Sequence, residues 1–270
     1  MMNKYLKKYL FLFFLFQIMI INLEAKLLYE ENIMLNTIQK YRHDPEKLAL
    51  LLPIIQCSFE QNKYEQILMT TLRNKNTPIA DFRRTADLLA ELLVLKTIET
   101  LPVEEKEINT PFCPYMGSKM VSDIHLVSVM RSGDALLNVF TKHFPAAPIN
   151  KILVQRDETT AEPIFKYMKM SPSLTSKSIV IITEPLIATG GTLSMVINLL
   201  KEAGIKESHI HIASICVSPE GLFLLNQNFP ELKVVMIAMD DKLNEHKYIV
   251  PGLGDFGDRY FGTVQPIGHN

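Results

Sequence analysis

Ile179-Val-Ile-Ile-Thr-Glu-Pro-Leu-Ile-Ala-Thr-Gly-Gly-Thr-Leu193 is the stretch that decides the fold of this chain. Ile179 to Ile182 is short, continuously apolar and β-branched, as a strand buried on both faces requires, so it is expected to be a central parallel strand. From Leu193 the apolar residues change to helical spacing (Leu193, Val196, Ile197, Leu200), and Gly204 supplies a stop. Between strand and helix, Ala188-Thr189-Gly190-Gly191-Thr192 sets two glycines and two hydroxyls at the helix mouth. Backbone N–H groups and the positive end of the helix dipole can hold a phosphate there, and glycine leaves room for its oxygens.

No Gly-Lys-Ser/Thr follows the glycines and no Gly-x-Gly-x-x-Gly is present, which excludes the Walker loop and the dinucleotide fingerprint. The chain has 270 residues, 47% of them hydrophobic, enough for a full α/β core preceded by an N-terminal addition. A net charge of -1 without a long basic run leaves no electrostatic footprint for nucleic acid. Cys57, Cys113 and Cys216 are too few and too scattered for a disulfide framework or a zinc site, and Cys216 is expected on a buried strand.

At the start, Lys4, Lys7 and Lys8 precede an apolar run from Leu10 to Leu23 and then Ala25. This outline fits an export signal, an uncleaved anchor, or a leader produced by an upstream in-frame start. Three segments are expected: a hydrophobic leader over 1–25, a helical extension over 26–67 and one catalytic domain over 68–270. Thr77-Pro78 reads as a helix start with Thr77 as the cap, and Phe82, Ala86, Leu89 and Leu93 form one face of the helix that follows. Thr100 to Met120 reads as a connecting excursion outside the core. His125 to Met130 and Lys151 to Gln155 read as strands closing on Arg131 and Arg156. Two arginines at the strand ends where α/β sheets collect ligands point to anion recognition. Ile210 to Val217 and Lys233 to Met239 complete an alternation of strand and helix. The fold class is therefore α/β, a mostly parallel sheet with helices on both faces. His209 and His211 read as a surface or edge pair with no companion metal ligands, and no metal-ligating residue is assigned.

Glu184 followed by Ala188-Thr189-Gly190-Gly191-Thr192 resembles the loop with which phosphoribosyltransferases grip the ribose 5-phosphate of 5-phosphoribosyl 1-pyrophosphate (PRPP). The tail from Asp241 to Thr263, containing Tyr248-Ile-Val-Pro-Gly-Leu-Gly-Asp-Phe-Gly-Asp-Arg-Tyr-Phe-Gly-Thr263, resembles the uracil-binding segment of the uracil phosphoribosyltransferase family. Leu72-Arg73-Asn74, Val129 to Gly133 and Arg156-Asp157-Glu158-Thr159 fall in the family's order, so the resemblance runs from about Leu68 to Thr263.

The resemblance implies a phosphoribosyltransferase-type fold and an enzyme making UMP and pyrophosphate from uracil and PRPP with Mg²⁺. It gives Arg131 and Arg156 the pyrophosphate or phosphate charge, and Asp255 the place of an acid near pyrophosphate and metal. Glu184, Pro185, Leu186, Ile187, Ala188, Thr189, Gly190, Gly191 and Thr192 match the PRPP loop. Ile249, Gly254, Asp255 and Phe256 match the segment that contacts uracil and PRPP. It further implies a homo-oligomer; GTP activates some members.

Three positions depart from the family pattern: Glu184 where aspartate is usual, Ser132 for alanine, and Phe256 for alanine. Glu184 and Phe256 together motivate a rival reading, a catalytically impaired relative that binds PRPP or a nucleotide in a regulatory role; a changed base preference is a third. The Phe256 ring is expected to turn away from the base and pack near Tyr260 or Phe261, at little cost in stability on truncation. Uracil salvage draws on cytosolic PRPP, which favours a cytoplasmic protein; residues 1–25 carry the alternative of export or membrane anchoring.

Overall fold

The computed structural model describes residues 62–120, 123–156 and 163–263. Contacts divide the chain into Met1–Leu52 and Pro53–Asn270, and every described residue lies in the second unit. The leader, most of the expected extension and the Asp157-Glu158-Thr159 turn lie outside the described residues.

Helix α1 (Lys63–Arg73) starts with a capping box: Glu65 N–H donates to Asn62 Oδ1 at 2.9 Å and Asn62 N–H donates to Glu65 Oε2 at 3.0 Å. The boundary expected between residues 67 and 68 falls within this one helix, whose Leu68, Met69 and Leu72 enter the core. Helix α2 (Ile79–Glu99) buries the expected stripe of Phe82, Ala86, Leu89 and Leu93. Thr77 does not cap it, because its hydroxyl instead donates to the Thr71 carbonyl at 2.6 Å and closes the turn between the two helices.

The excursion outside the core is an antiparallel hairpin, β1 (Val103–Asn109) and β2 (Pro114–Met120), exposed along nearly its whole length. The main sheet follows with β3 (Ile124–Met130), β4 (Ile149–Arg156), β5 (Pro163–Lys169), β6 (Ile179–Thr183), β7 (Leu186–Ile187), β8 (Ile210–Val217) and β9 (Lys233–Met239). Its order is β5-β4-β3-β6-β8, with β7 and β9 both on β8; β5 alone runs antiparallel, at an edge. β6 is central and parallel to both neighbours, as its apolar run requires.

Because side chains alternate along a strand, β6 feeds both faces of the sheet. Ile179 and Ile181 join the cluster built by α1, α2 and α3 (Gly133–His143), while Val180 and Ile182, also buried, point to the opposite face. That second face is served by α4 (Gly191–Glu202), which packs on β4, β5 and α5 (Pro219–Asn228). Each such buried aliphatic contributes roughly 1.5–3 kcal/mol. His211 sits in the sheet, 1% exposed and 2.9 Å from Thr100 Oγ1, so the expectation of a surface pair fails for it. The pattern of β8 is apolar on both sides, and a neutral imidazole with one hydrogen bond is tolerated where a charged one is not.

Candidate active site

The C-terminal ends of the neighbouring parallel strands β3, β4 and β6 bring the Arg131 turn, position 156 and the loop that starts at Glu184 to one edge of the sheet. After β6, Glu184 and Pro185 lead into β7, which pairs with Cys216 and Val217 of β8. Ser218, the cap of α5, then fixes the loop that follows. Its N–H donates to Ile187 O at 2.8 Å and its hydroxyl donates to Ala188 O at 2.5 Å, while Gly221 N–H donates to that hydroxyl at 2.9 Å. Two glycines make the approach possible. A Cβ on Gly221 would stand 2.2 Å from Ala188 O, and Gly190 has a φ of +81°. Gly191 has no such structural constraint, since a Cβ there would meet only Pro163 and Thr189 atoms at 3.7 Å or beyond.

Helix α4 thus begins at Gly191, with Ser194 N–H the donor to Gly190 O and no acidic residue in its first turn. The first amides of a helix have no carbonyl behind them, and an acid-free first turn leaves the positive dipole end to an incoming anion. Thr189 and Thr192 add hydroxyls at the same mouth. Arg156 closes β4 opposite Pro163, the residue beside Gly191, so the backbone brings position 156 to this loop.

On the other side of β6, Arg131 follows β3. Its Nη2 donates to Asp258 Oδ1 at 2.6 Å, its Nη1 donates to Thr263 Oγ1 at 2.8 Å, and its guanidinium lies 5.6 Å from the centre of the Phe261 ring. The Thr263 hydroxyl, and after it Arg131, holds the Asp258 carboxyl below the usual range. Ser132 Oγ donates to Glu184 Oε1 at 2.9 Å, so the Arg131 turn and the start of the glycine loop are joined directly.

The C-terminal segment comprises β10 (Lys242–Leu243), β11 (Ile249–Val250) and α6 (Phe256–Phe261). Asp255 caps α6 by accepting from Asp258 N–H at 2.8 Å. A Cβ on Gly257 would lie 3.4 Å from both Asp255 Oδ1 and Arg131 Nη2, which puts acid and guanidinium on one patch. Gly252 (φ +64°), following the half-buried Ile249, is gripped by Arg73 and Asp240: its N–H donates to Asp240 Oδ2 at 2.7 Å and its carbonyl accepts from Arg73 Nη1 at 2.7 Å. Burial opposes the charge on Asp240, but its pairing with Arg73 at 2.5 Å outweighs that and holds the carboxyl below its ordinary range. Arg259 donates to Leu72 O, Leu253 O and Asn74 O, and Arg83 donates to Tyr260 O at 2.6 Å.

Phe256 is 1% exposed and its ring stacks on Tyr260 at 5.7 Å and tilts against Phe82 at 5.5 Å. It faces the core, as expected for a ring turned toward Tyr260, and it is far more deeply packed than a loop residue free to rotate.

Sequence reading missed Asp240, Ser218 and Asp258. Ser218 before Pro219 is a legible cap signal, and Asp240 stands at a strand end like the two arginines. Asp258 carried no local signal, since its partner Arg131 is remote in sequence.

Residues 59–263 match the family model described as Uracil phosphoribosyltransferase, so the match begins at residue 59 and not near Leu68. The uracil phosphoribosyltransferase of Dictyostelium discoideum is 40% identical over 200 residues, which are 73% of this chain and 91% of the relative. That of Clostridium novyi is 38% identical over 197 residues, 72% of this chain and 92% of the relative. A solved protein of Aquifex aeolicus superposes with a TM-score of 0.69 at 26% identity, covering 77% of this chain and 98% of that one. With a glycine-gated helix mouth, a facing arginine turn and the C-terminal segment all inside the matched span, the chain belongs to the uracil phosphoribosyltransferase family.

Proposed function

We propose that this protein transfers the phosphoribosyl group of PRPP to uracil, giving UMP and pyrophosphate. The observation that carries the reading is the acid-free N-terminus of α4 behind Gly190 and Gly191, at the same sheet edge as Arg131 and Glu184. The names of the relatives supply uracil as the base. In this reading the first amides of α4, with Thr189 and Thr192, hold the 5-phosphate. Glu184 accepts from the ribose hydroxyls. Arg131 and Arg156 balance the pyrophosphate charge, and the backbone around Ile249 and Gly254 to Phe256 orients the flat base. A uracil nitrogen bonds to C1 of the ribose as the C1–O bond to pyrophosphate breaks, through a ribosyl centre of cationic character, and its N–H proton passes to the released pyrophosphate or to water. The chain's contribution is orientation and stabilisation of leaving charge, so no strong side-chain nucleophile is required.

Mg²⁺ suits this site as a companion of the pyrophosphate. Among the described residues no group of three or more His, Cys, Asp or Glu converges into a metal cage, and Mg²⁺ commonly binds through one or two carboxylates with substrate phosphates. The exposed Asp255 would hold it together with the substrate phosphates, and it would neutralise charge on the leaving group.

Neither residue that motivated the non-catalytic rival obstructs the site in the expected way, because the Phe256 ring is in the core and the Glu184 carboxylate is hydrogen-bonded in place. The exposed hairpin, with Phe112 95% and Tyr115 58% exposed, supports a homo-oligomer. No helix among the described residues is long and apolar enough to cross a membrane; dependence on PRPP supports a cytoplasmic site of action.

Purified protein supplied with PRPP, Mg²⁺ and each free pyrimidine should form UMP from uracil. Gly191→Val should fold, because a Cβ has room there, and should lose PRPP binding by calorimetry. Absence of UMP, or unchanged PRPP binding in a folded Gly191→Val protein, would defeat the reading.

A further inference from the structure

Ser132 occupies the position from which a serine ordinarily caps a helix. It precedes Gly133 at the start of α3, yet it has helical dihedrals (φ -62°, ψ -34°) and its side chain makes no capping bond. The hydroxyl is directed across to the neighbouring strand end, donating to Glu184 Oε1 at 2.9 Å. Both ends of this bond are held. Thr183 Oγ1 donates to Gly133 O at 3.0 Å, and a Cβ on Gly133 would stand 2.3 Å from Thr183 O, so the two chains touch backbone to backbone. The next residue, Asp134, accepts at one oxygen from Ser128 Oγ at 2.6 Å and from Lys151 Nζ at 2.7 Å, which fixes the first turn of α3. Glu184 is 8% exposed, and its N–H donates to Ala213 O at 3.1 Å. A flexible three-carbon acid is thereby clamped at the one edge where the substrate's ribose would lie.

We propose that Ser132 is a positioning residue for ribose recognition. Its hydroxyl occupies one oxygen of Glu184 and fixes the carboxylate so that it can accept from the vicinal hydroxyls of a phosphoribosyl substrate. It also ties the arginine turn to the phosphate loop. The inference rests on the reading above that Glu184 faces the ribose.

The test is a cycle of Ser132→Ala, Glu184→Asp and the double variant, followed by PRPP calorimetry and steady-state kinetics. Loss of a hydrogen bond to a charged group at a partly exposed site should raise the PRPP Kd and KM about fivefold in Ser132→Ala, with kcat changing less than about twofold. Ser132→Thr, which keeps the hydroxyl, should recover most of the affinity. Aspartate is one carbon too short to reach, so in the Glu184→Asp background the same alanine substitution should matter less than about twofold. Inorganic pyrophosphate, which has no ribose, should bind wild type and Ser132→Ala alike. An effect of Ser132→Ala that is absent, equal in both backgrounds, or as large for pyrophosphate as for PRPP would overturn the proposal and leave the activity standing. A wild-type protein that binds no PRPP would overturn both.

Discussion

At the scale of single residues, Phe256 separates two functions that the sequence places side by side. Asp255 is exposed and caps α6, while the next side chain turns inward between Phe82 and Tyr260. A fully buried aromatic leaves a large cavity when truncated, so Phe256→Ala should destabilise the protein by about 3–5 kcal/mol, measured by urea unfolding. This is more than the small loss the sequence suggested, because a ring 1% exposed is part of the core and not of a loop surface. Uracil turnover, assayed where the variant remains folded, should change little. A rise in turnover would show that the ring covers the base site. The same inward turn was foreseeable in direction, since Tyr260 follows at helical spacing, but not in depth, since Phe82 comes from a distant helix.

At the scale of elements, β8 carries a titratable ring inside the sheet. Burial first, then repulsion from Lys233 and His209, lowers the His211 pKa to about 4 from its ordinary 6.5. In the unfolded chain the ring takes up its proton near pH 6.5, whereas the folded ring resists it until about pH 4. The stability associated with the neutral ring is therefore complete above pH 6.5 and is lost as pH falls toward 4, by an amount on the order of 3 kcal/mol. Thermal melts between pH 7 and pH 4.5 should show this slope, and His211→Asn, whose amide can still meet Thr100, should flatten it. Equal slopes in the two proteins would assign the acid sensitivity to other groups. The strand itself was legible as an apolar run over Ile210 to Val217, and its observed bounds are the same. The burial of its histidine was not, because alternation says which faces a strand presents and not which of them a helix will cover.

At the scale of the whole molecule, the hairpin β1–β2 has no partner proportionate to its apolar surface among the described residues: Val103, Ile108, Phe112, Tyr115 and Met116 are all exposed. By the pairing register Val103 and Met116 lie on one face of the hairpin and Ile108 and Tyr115 on the other, and exposed apolar surface on a projecting hairpin is a candidate association surface. Phe112→Asp with Tyr115→Asp should shift the sedimentation profile toward the monomer while leaving the helical signal unchanged, and a wild-type protein that sediments as a monomer would refute the assembly. The sequence by itself determined the parallel strands and the helix that starts behind two glycines, and it marked the strand-end turns at Arg131 and at Gly190-Gly191. Each of these is written in contiguous residues, where hydrophobic period and glycine placement act over one strand or one turn. Only the tertiary structure decided that Ser132 bonds Glu184, that Arg131 meets Asp258, that Arg73 and Asp240 grip Gly252, and that Phe256 is core. Those contacts join residues that chain-local propensity cannot relate, and they form when packing the helices onto the sheet brings remote strand ends to one edge.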